Sequence, residues 1–242
     1  MKKKKKEAIA GYLFILPGSI ALLAFSVTPI FMNLYYSFTK YDVFSSPKWV
    51  GLHNYIKMTK DPNILISTKN TLIYMIFTVP VQTILALVIA AILAAKYRNK
   101  FGNFVKSSMF IPVIPSAIII GYVFMFLFST DNGVVNKILE IFGLSRINWF
   151  GTPEMALFSV CIVAVWKSVG YFLVIYYAAV MDIPDEYYKA ARVDGASGLQ
   201  QFFFITLPCL RPVTYLVVTV GMLWSMQVFD LVFAMTGGGP SK

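Results

Sequence analysis

The chain has 242 residues, of which 58% are hydrophobic, 16% aromatic and only 13% charged, with a formal net charge of +10. Water-soluble domains carry about 25% charged residues, so this composition excludes an ordinary soluble protein and points to a polytopic membrane protein. The basic residues cluster at the ends of apolar segments, where they report membrane topology rather than a nucleic-acid partner.

Lys2 to Lys6 precede an apolar run from Ile9 to about Phe38. The run is longer than the roughly 7–15 residues of a signal-peptide core. It therefore predicts an uncleaved first transmembrane helix, with residues 1–8 as a basic segment in the cytoplasm. Pro17 and Pro29 would kink or delimit it. Further spans are predicted over Thr71–Ala95, Ser107–Phe128, Met155–Met181 and Ile205–Met235, each long enough for the roughly 20 residues that cross a bilayer. They must be helices, because open strands leave backbone groups unpaired in lipid. Pro80, Pro112, Pro115, Pro208 and Pro212 fall in or near these spans. Such breaks survive where neighbouring helices or a watery cavity satisfy the freed carbonyls.

Lys96, Arg98, Lys100 and Lys106 make the second connection basic and hence cytoplasmic, and the mixed charge of Ser129–Thr152 suits the outside. The first external loop departs from the rule, carrying Lys40, Lys48, Lys57, Lys60 and Lys69 against Asp42 and Asp61. The N-terminal lysines and the basic second connection, together with the family resemblance given below, outweigh it. Cys161 and Cys209 lie in apolar stretches and read as buried small hydrophobes. His53 is the only histidine and there is no His-Glu-x-x-His, so no metal site is expected. Gly237-Gly238-Gly239-Pro240-Ser241-Lys242 lacks the spacing of a phosphate-binding loop and reads as a glycine-rich external turn.

Residues 183–196 form a polar island between two apolar segments. Asp182 is expected to N-cap a short helix with Pro184, Asp185 and Glu186 in its first turn. Ala190 and Ala191 give it a smooth face, and Gly195 and Gly198 end or bend it. A second amphipathic piece then runs through Phe202-Phe203-Phe204. On these residues alone, a docking surface and a solvated loop on the membrane are equally open readings.

The pattern Ala190-Ala191-Arg192-Val193-Asp194-Gly195-Ala196, followed by Ile205-Thr206-Leu207-Pro208, resembles the EAA loop of bacterial ABC importer permeases. Trp49-Val50-Gly51-Leu52-His53-Asn54-Tyr55, Asn70-Thr71-Leu72, Phe229-Asp230-Leu231 and Thr236-Gly237-Gly238-Gly239-Pro240 are similar to segments of the sugar branch of that family, the maltose and glycerol-phosphate type. The resemblance implies an all-α transmembrane bundle of the type I ABC importer kind, one permease domain over 9–242 with about five spans. The family's last helix would lie beyond Lys242, so the chain reads as a fragment.

The resemblance also implies a coupling loop at about 182–204. Its candidate residues are Glu186, Tyr188, Lys189, Ala190, Ala191, Asp194, Gly195, Ala196, Leu207 and Pro208. Lys189 stands where the family has a glutamate, which weakens any role for an acidic group there. A non-catalytic subunit of the bacterial cytoplasmic membrane follows, without a cofactor of its own; ATP and magnesium would bind a partner ATPase dimer. The other implied partners are a second homologous permease, an extracytoplasmic solute-binding protein and a sugar-type substrate.

Polar residues inside spans are costly and usually functional. Lys167, Ser168 and Tyr171 lie close together on the fourth predicted helix. Trp224, Gln227 and Asp230 form a stripe on the fifth, with Ser225 beside it. Similarity to maltose-type permeases matches Lys167, Ser168, Tyr171, Trp224, Ser225 and Val228 to sugar-facing positions. Aromatic packing, hydroxyls bonded to the preceding helical turn and mutual neutralisation of Lys167 and Asp230 are the competing readings. Lys167 raises the narrower expectation of an acidic or phosphorylated ligand. A passive channel or ion-coupled transporter is the alternative class; ion coupling needs intramembrane carboxylates, and Asp230 is the clear one. An intramembrane enzyme is disfavoured by the lack of paired aspartates, a Ser–His pair or a metal cluster.

Overall fold

The structure is a computed structural model and describes residues 2–239. Its contacts divide the chain into two units, Met1–Thr68 and Lys69–Lys242. Pro240, Ser241 and Lys242, the end of the glycine-rich segment, lie outside the described residues.

In the first unit, helical structure runs from Lys2 to Ser37 without interruption, with Lys6–Ser37 as the candidate span. It comprises α1 (Lys2–Leu22), a π-helical turn (Leu23–Val27) and α2 (Thr28–Ser37). Pro17 sits inside α1 without ending it. Pro29 lies in the first turn of α2, directly after the π turn, and Thr28 Oγ1 donates to Leu23 O at 2.8 Å. The helix thus absorbs the missing proline N–H by local rewinding.

Two short strands follow, β1 (Thr39–Lys40) and β2 (Lys48–Trp49), paired antiparallel with Thr39 opposite Trp49. This small ladder is a local feature of an otherwise helical chain. It lies beyond the apolar run, where water can satisfy its edges. In the connection between the strands, the Ser45 hydroxyl and backbone N–H both donate to Asp42, which holds its carboxyl below the usual carboxylate range. Asn54, on α3 (His53–Lys60), donates to Ser37 O at 3.0 Å and Thr39 O at 2.8 Å, closing the turn. Asn54 therefore has a structural task in the Val50–Tyr55 segment.

α4 (Pro62–Lys96) keeps Pro80 in its interior and extends beyond the predicted Thr71–Ala95 span. The predicted span Ser107–Phe128 is broken. α5 (Lys100–Phe110) leads through a 3-10 turn (Ile111–Val113) into α6 (Ala117–Leu127), and the axis bends by 96°. Pro112 and Pro115 have no N–H to continue the ladder. Ser116 restarts it as an N-cap, its hydroxyl accepting from Ile119 N at 3.4 Å.

The connection after α6 is built around α7 (Val134–Ile141) and the buried Asn136. Its amide oxygen accepts from Ile147 N and Trp149 Nε1, both at 3.1 Å, and its nitrogen donates to Thr130 O at 3.1 Å and Ile147 O at 2.9 Å. Trp149 stacks on Phe128 with ring centroids 4.7 Å apart. Arg146 pairs with Glu140, which holds the guanidinium still more firmly protonated.

α8 (Pro153–Met181) is the central helix of the second unit. Phe172, Leu173 and Tyr176 on it have no exposed surface and pack with Ala86 and Ala90 of α4 and with Val217. A second cluster joins Val160 and Val163 of α8 to Tyr74, Ile120 and Leu231. Small residues allow the close approaches that membrane helices need. A Cβ on Gly170 would lie 1.8 Å from Met109 O, and one on Gly121 would lie 2.5 Å from Ala234 Cβ. Cys161 is buried as expected. Cys209 is exposed, contrary to expectation, on a short helix whose neighbour Leu210 takes the buried position.

The predicted span Ile205–Met235 is also broken. α12 (Arg211–Met226) turns by 68° from the helical stretch before it and ends before α13 (Asp230–Thr236). Among the described residues, three helices can cross a membrane by length and composition, or up to five if each bent pair is one span.

Candidate functional site

The polar island folds as a compact helix–turn–helix. The Asp182 N–H donates to Ala178 O at 3.2 Å, so Asp182 closes α8 and is not the N-cap of the next helix, as sequence reasoning expected. Pro184 occupies that N-cap position instead, with φ −56° and ψ 128°. Its fixed φ turns the chain and starts α9 (Asp185–Val193) without a side-chain cap. Asp185 and Glu186 oppose the positive end of α9, and Arg192 the negative end.

Gly195 has φ +77°, and a hydrogen bond of 2.8 Å from Ala196 N to Ala191 O closes the end of α9. Gly198 does not end α9. It opens α10 (Gly198–Gln201), which Ser197 and Gln200 cap reciprocally: Gln200 N donates to the Ser197 hydroxyl and Ser197 N to the Gln200 side chain. A π turn (Phe202–Thr206) and α11 (Leu207–Cys209) lead back toward α12.

Glu186, Lys189, Ala190, Asp194 and Gly195 are exposed, whereas Tyr188, Ala191, Ala196, Leu207 and Pro208 are half-buried. The Tyr188 hydroxyl lies 2.9 Å from Thr206 Oγ1 and fastens α9 to the π turn. Arg98, from the α4–α5 connection, reaches Asp185 at 3.7 Å. Both groups are solvated, so this pair contributes at most about 1 kcal/mol. Large apolar side chains face outward across the module, with Val193 at 88%, Phe204 at 77% and Leu199 at 72% exposure.

Within the membrane-spanning part lies a cavity of about 280 Å³. α8 supplies Lys167, Ser168 and Tyr171; the region around α12 supplies Trp224, Ser225 and Val228. The six residues matched to sugar-facing positions thus share one cavity. Gln227 and Asp230 do not line it: α12 stops at Met226 and α13 starts at Asp230, so the 224/227/230 spacing does not form one helical stripe. Lys167 and Asp230 form no ion pair among the described residues.

Sequence reasoning missed the α4 wall, made by Tyr74, Thr78 and Gln82, and the Val113–Ala117 wall at the helix break. Thr78 and Gln82, polar and four apart on an apolar helix, carried a usable signal. Ser168 Oγ lies 2.6 Å from both Gln82 Oε1 and Ala164 O, two acceptors for its single proton. The Thr78 and Ser225 hydroxyls are 3.3 Å apart, and the rings of Tyr171 and Trp224 meet at 4.9 Å. The cavity therefore pairs aromatic faces with hydroxyls and an amide.

Residues 68–240 match the family described as binding-protein-dependent transport system inner membrane component. The chain belongs to this family. It is 35% identical to the probable ABC transporter permease protein YurN of Bacillus subtilis over 98% of this chain and 82% of that protein. It is 33% identical to the trehalose/maltose transport system permease protein MalF of Thermococcus litoralis, over 99% and 81% respectively. The permease also shares its fold with a bacterial ABC transporter involved in alginate import, at TM-score 0.81 and 23% identity over 96% of this chain and 82% of that one.

Proposed function

We propose that this permease is the membrane subunit of an ATP-driven sugar or oligosaccharide importer, gripped by a separate ATPase through residues 182–208. The observation that carries the reading is the module around Gly195. A short helix and a left-handed turn present exposed apolar side chains in a chain otherwise built for lipid, while Tyr188–Thr206 ties them to the membrane helices. The module faces the cytoplasm, as does the N-terminus.

The relatives named for trehalose/maltose and arabinooligosaccharide transport support a sugar cargo. So does the cavity, whose Tyr171–Trp224 pair can stack on a sugar ring while Ser225, Thr78 and Gln82 bond hydroxyls. Its volume, about 280 Å³, lies just below the roughly 300–1,000 Å³ of ligand sites, so an elongated sugar would pass through it in part. Among the described residues no carboxylate lines the cavity, which disfavours ion coupling.

In this account a solute-binding protein delivers the sugar outside, and ATP and magnesium act in the partner ATPase. A second, homologous permease completes the pathway. Closure of the ATPase dimer moves the Gly195 module and biases the helices between two states. The test is Gly195→Pro in the full importer. Proline is confined to φ of about −65° and cannot adopt the turn. Membrane insertion should persist while ATP hydrolysis no longer drives uptake; unchanged uptake would refute the docking assignment.

A further inference from the structure

Lys167 is the one cation lining the cavity among the described residues, and its ammonium is engaged. Nζ donates to Pro115 O at 2.9 Å, Pro112 O at 3.3 Å and Val113 O at 3.4 Å. An ammonium has three N–H donors, and three carbonyls take them.

Those carbonyls belong to the break between α5 and α6. Pro112 and Pro115 cannot donate, and the neighbouring N–H groups serve other acceptors: Ile114 N bonds Ile111 O and Ile120 N bonds Ser116 O. Of the three carbonyls, those of Pro112 and Val113 sit at the C-terminal, negative end of the half-helix before the break, where a cation is favoured. They also lie in a membrane-spanning region, where an unsatisfied carbonyl costs several kcal/mol. No carboxylate pairs with Lys167 among the described residues, so the carbonyl dipoles are its counter-charge.

We infer that Lys167 is a latch: a positioning residue on α8 that holds the 96° bend of the α5–α6 span and thereby the Val113–Ala117 wall of the cavity. Its neighbour Ser168 bonds Gln82, so consecutive residues of α8 hold the two opposite flanks, the helix break and α4. The cation then has no donor left for a charged substrate, and the acidic or phosphorylated ligand suggested by the sequence is not what Lys167 serves. The bend itself needs no substrate; only its consequence for transport rests on reading the cavity as the pathway.

The test compares wild type, K167M, K167Q and K167R in the assembled full-length importer in lipid nanodiscs, without substrate or ATP. Hydrogen–deuterium exchange is read over residues 113–119, with 129–152 as the internal control. A latch predicts at least tenfold faster exchange over 113–119 in K167M, an intermediate value in K167Q, near wild-type protection in K167R and no change over 129–152. The same samples then hydrolyse ATP. The latch predicts an altered kcat at unchanged KM for ATP in K167M, restored in K167R.

Exchange unchanged by K167M overturns the latch, whatever happens to hydrolysis. Accelerated exchange with normal hydrolysis keeps the latch but counts against the cavity as the moving part. If K167M and K167Q fail to accumulate while K167R assembles, the donors hold the fold together, as the latch requires. If none of the three assembles, the cation is not serving the break through its donors and the proposal falls.

Discussion

The hydroxyl of Tyr188 lies 2.9 Å from that of Thr206, joining the middle of an exposed helix to a π turn at the head of a membrane segment. Thr206 is buried, and its other hydrogen bond, to Gln201 O, is long at 3.5 Å. The pair is therefore a polar fastening between α9 and the π turn, and under the proposed coupling it would carry movement of α9 toward α12. Tyr188→Phe and Thr206→Val should each cost about 1 kcal/mol of local stability and lower ATP-driven uptake several-fold, with the subunit still inserted. The double variant should be no worse than either single one, because both delete the same bond. Strictly additive losses in transport assays would show that the two residues act separately.

Helix crossing at Gly170 makes a different demand. A Cβ there meets Met109 O at 1.8 Å, backbone that cannot step aside as a side chain can. Gly170→Ala should reduce thermal stability in detergent by an overpacking cost of about 1–3 kcal/mol or more. Gly198, with nothing within 4 Å of its added Cβ and an ordinary φ, is the matched control: Gly198→Ala should leave the melting temperature unchanged.

Asn136 supports the connection between α6 and α8 through hydrogen bonds at both ends of its amide. Asn136→Ala leaves Ile147 N and the Trp149 indole without partners, at about 1–3 kcal/mol for each buried group. Faster hydrogen exchange confined to residues 129–152, with residues 74–94 of α4 unaffected, is the expected signature. Uniform exchange across both segments would assign Asn136 to global stability instead.

The Ser168–Gln82 bond crosses the cavity from α8 to α4. Gln82→Leu should change the apparent KM for transported sugar more than the amount of folded protein, since Ser168 keeps its bond to Ala164 O. Equal KM values in the wild type and the variant would remove Gln82 from the sugar path.

How much of this was legible in the residues depends on the kind of signal. Apolar runs announced the spans because lipid leaves few alternatives to a helix, and the Ala190–Ala196 pattern announced the polar module. The breaks were only half visible. Pro112 and Pro115 marked the place, but not the 96° angle, nor that Lys167, 52 to 55 residues away in sequence, donates to the carbonyls there. Pro80, by contrast, is accommodated within α4. Asp182 was misassigned because an aspartate before Ile-Pro suits an N-cap, yet α8 runs far enough to claim its N–H. The Trp224–Asp230 stripe assumed one helix where the chain has two. Thr78 and Gln82 show no partner in the sequence, because their partners are distant in it: Ser225 for Thr78 and Ser168 for Gln82.

Docking of the Gly195 module on a separate ATPase is the proposal on which the transport mechanism rests. The most direct measurement is a gentle detergent pull-down of the tagged full-length subunit from its native membrane, with mass spectrometry of the proteins that accompany it. An ABC ATPase and a second permease should accompany it in stoichiometric amounts, with the ATPase held less firmly in Gly195→Pro and the second permease retained. A subunit recovered alone, or only with itself, under conditions that keep a known importer complex intact, would contradict it.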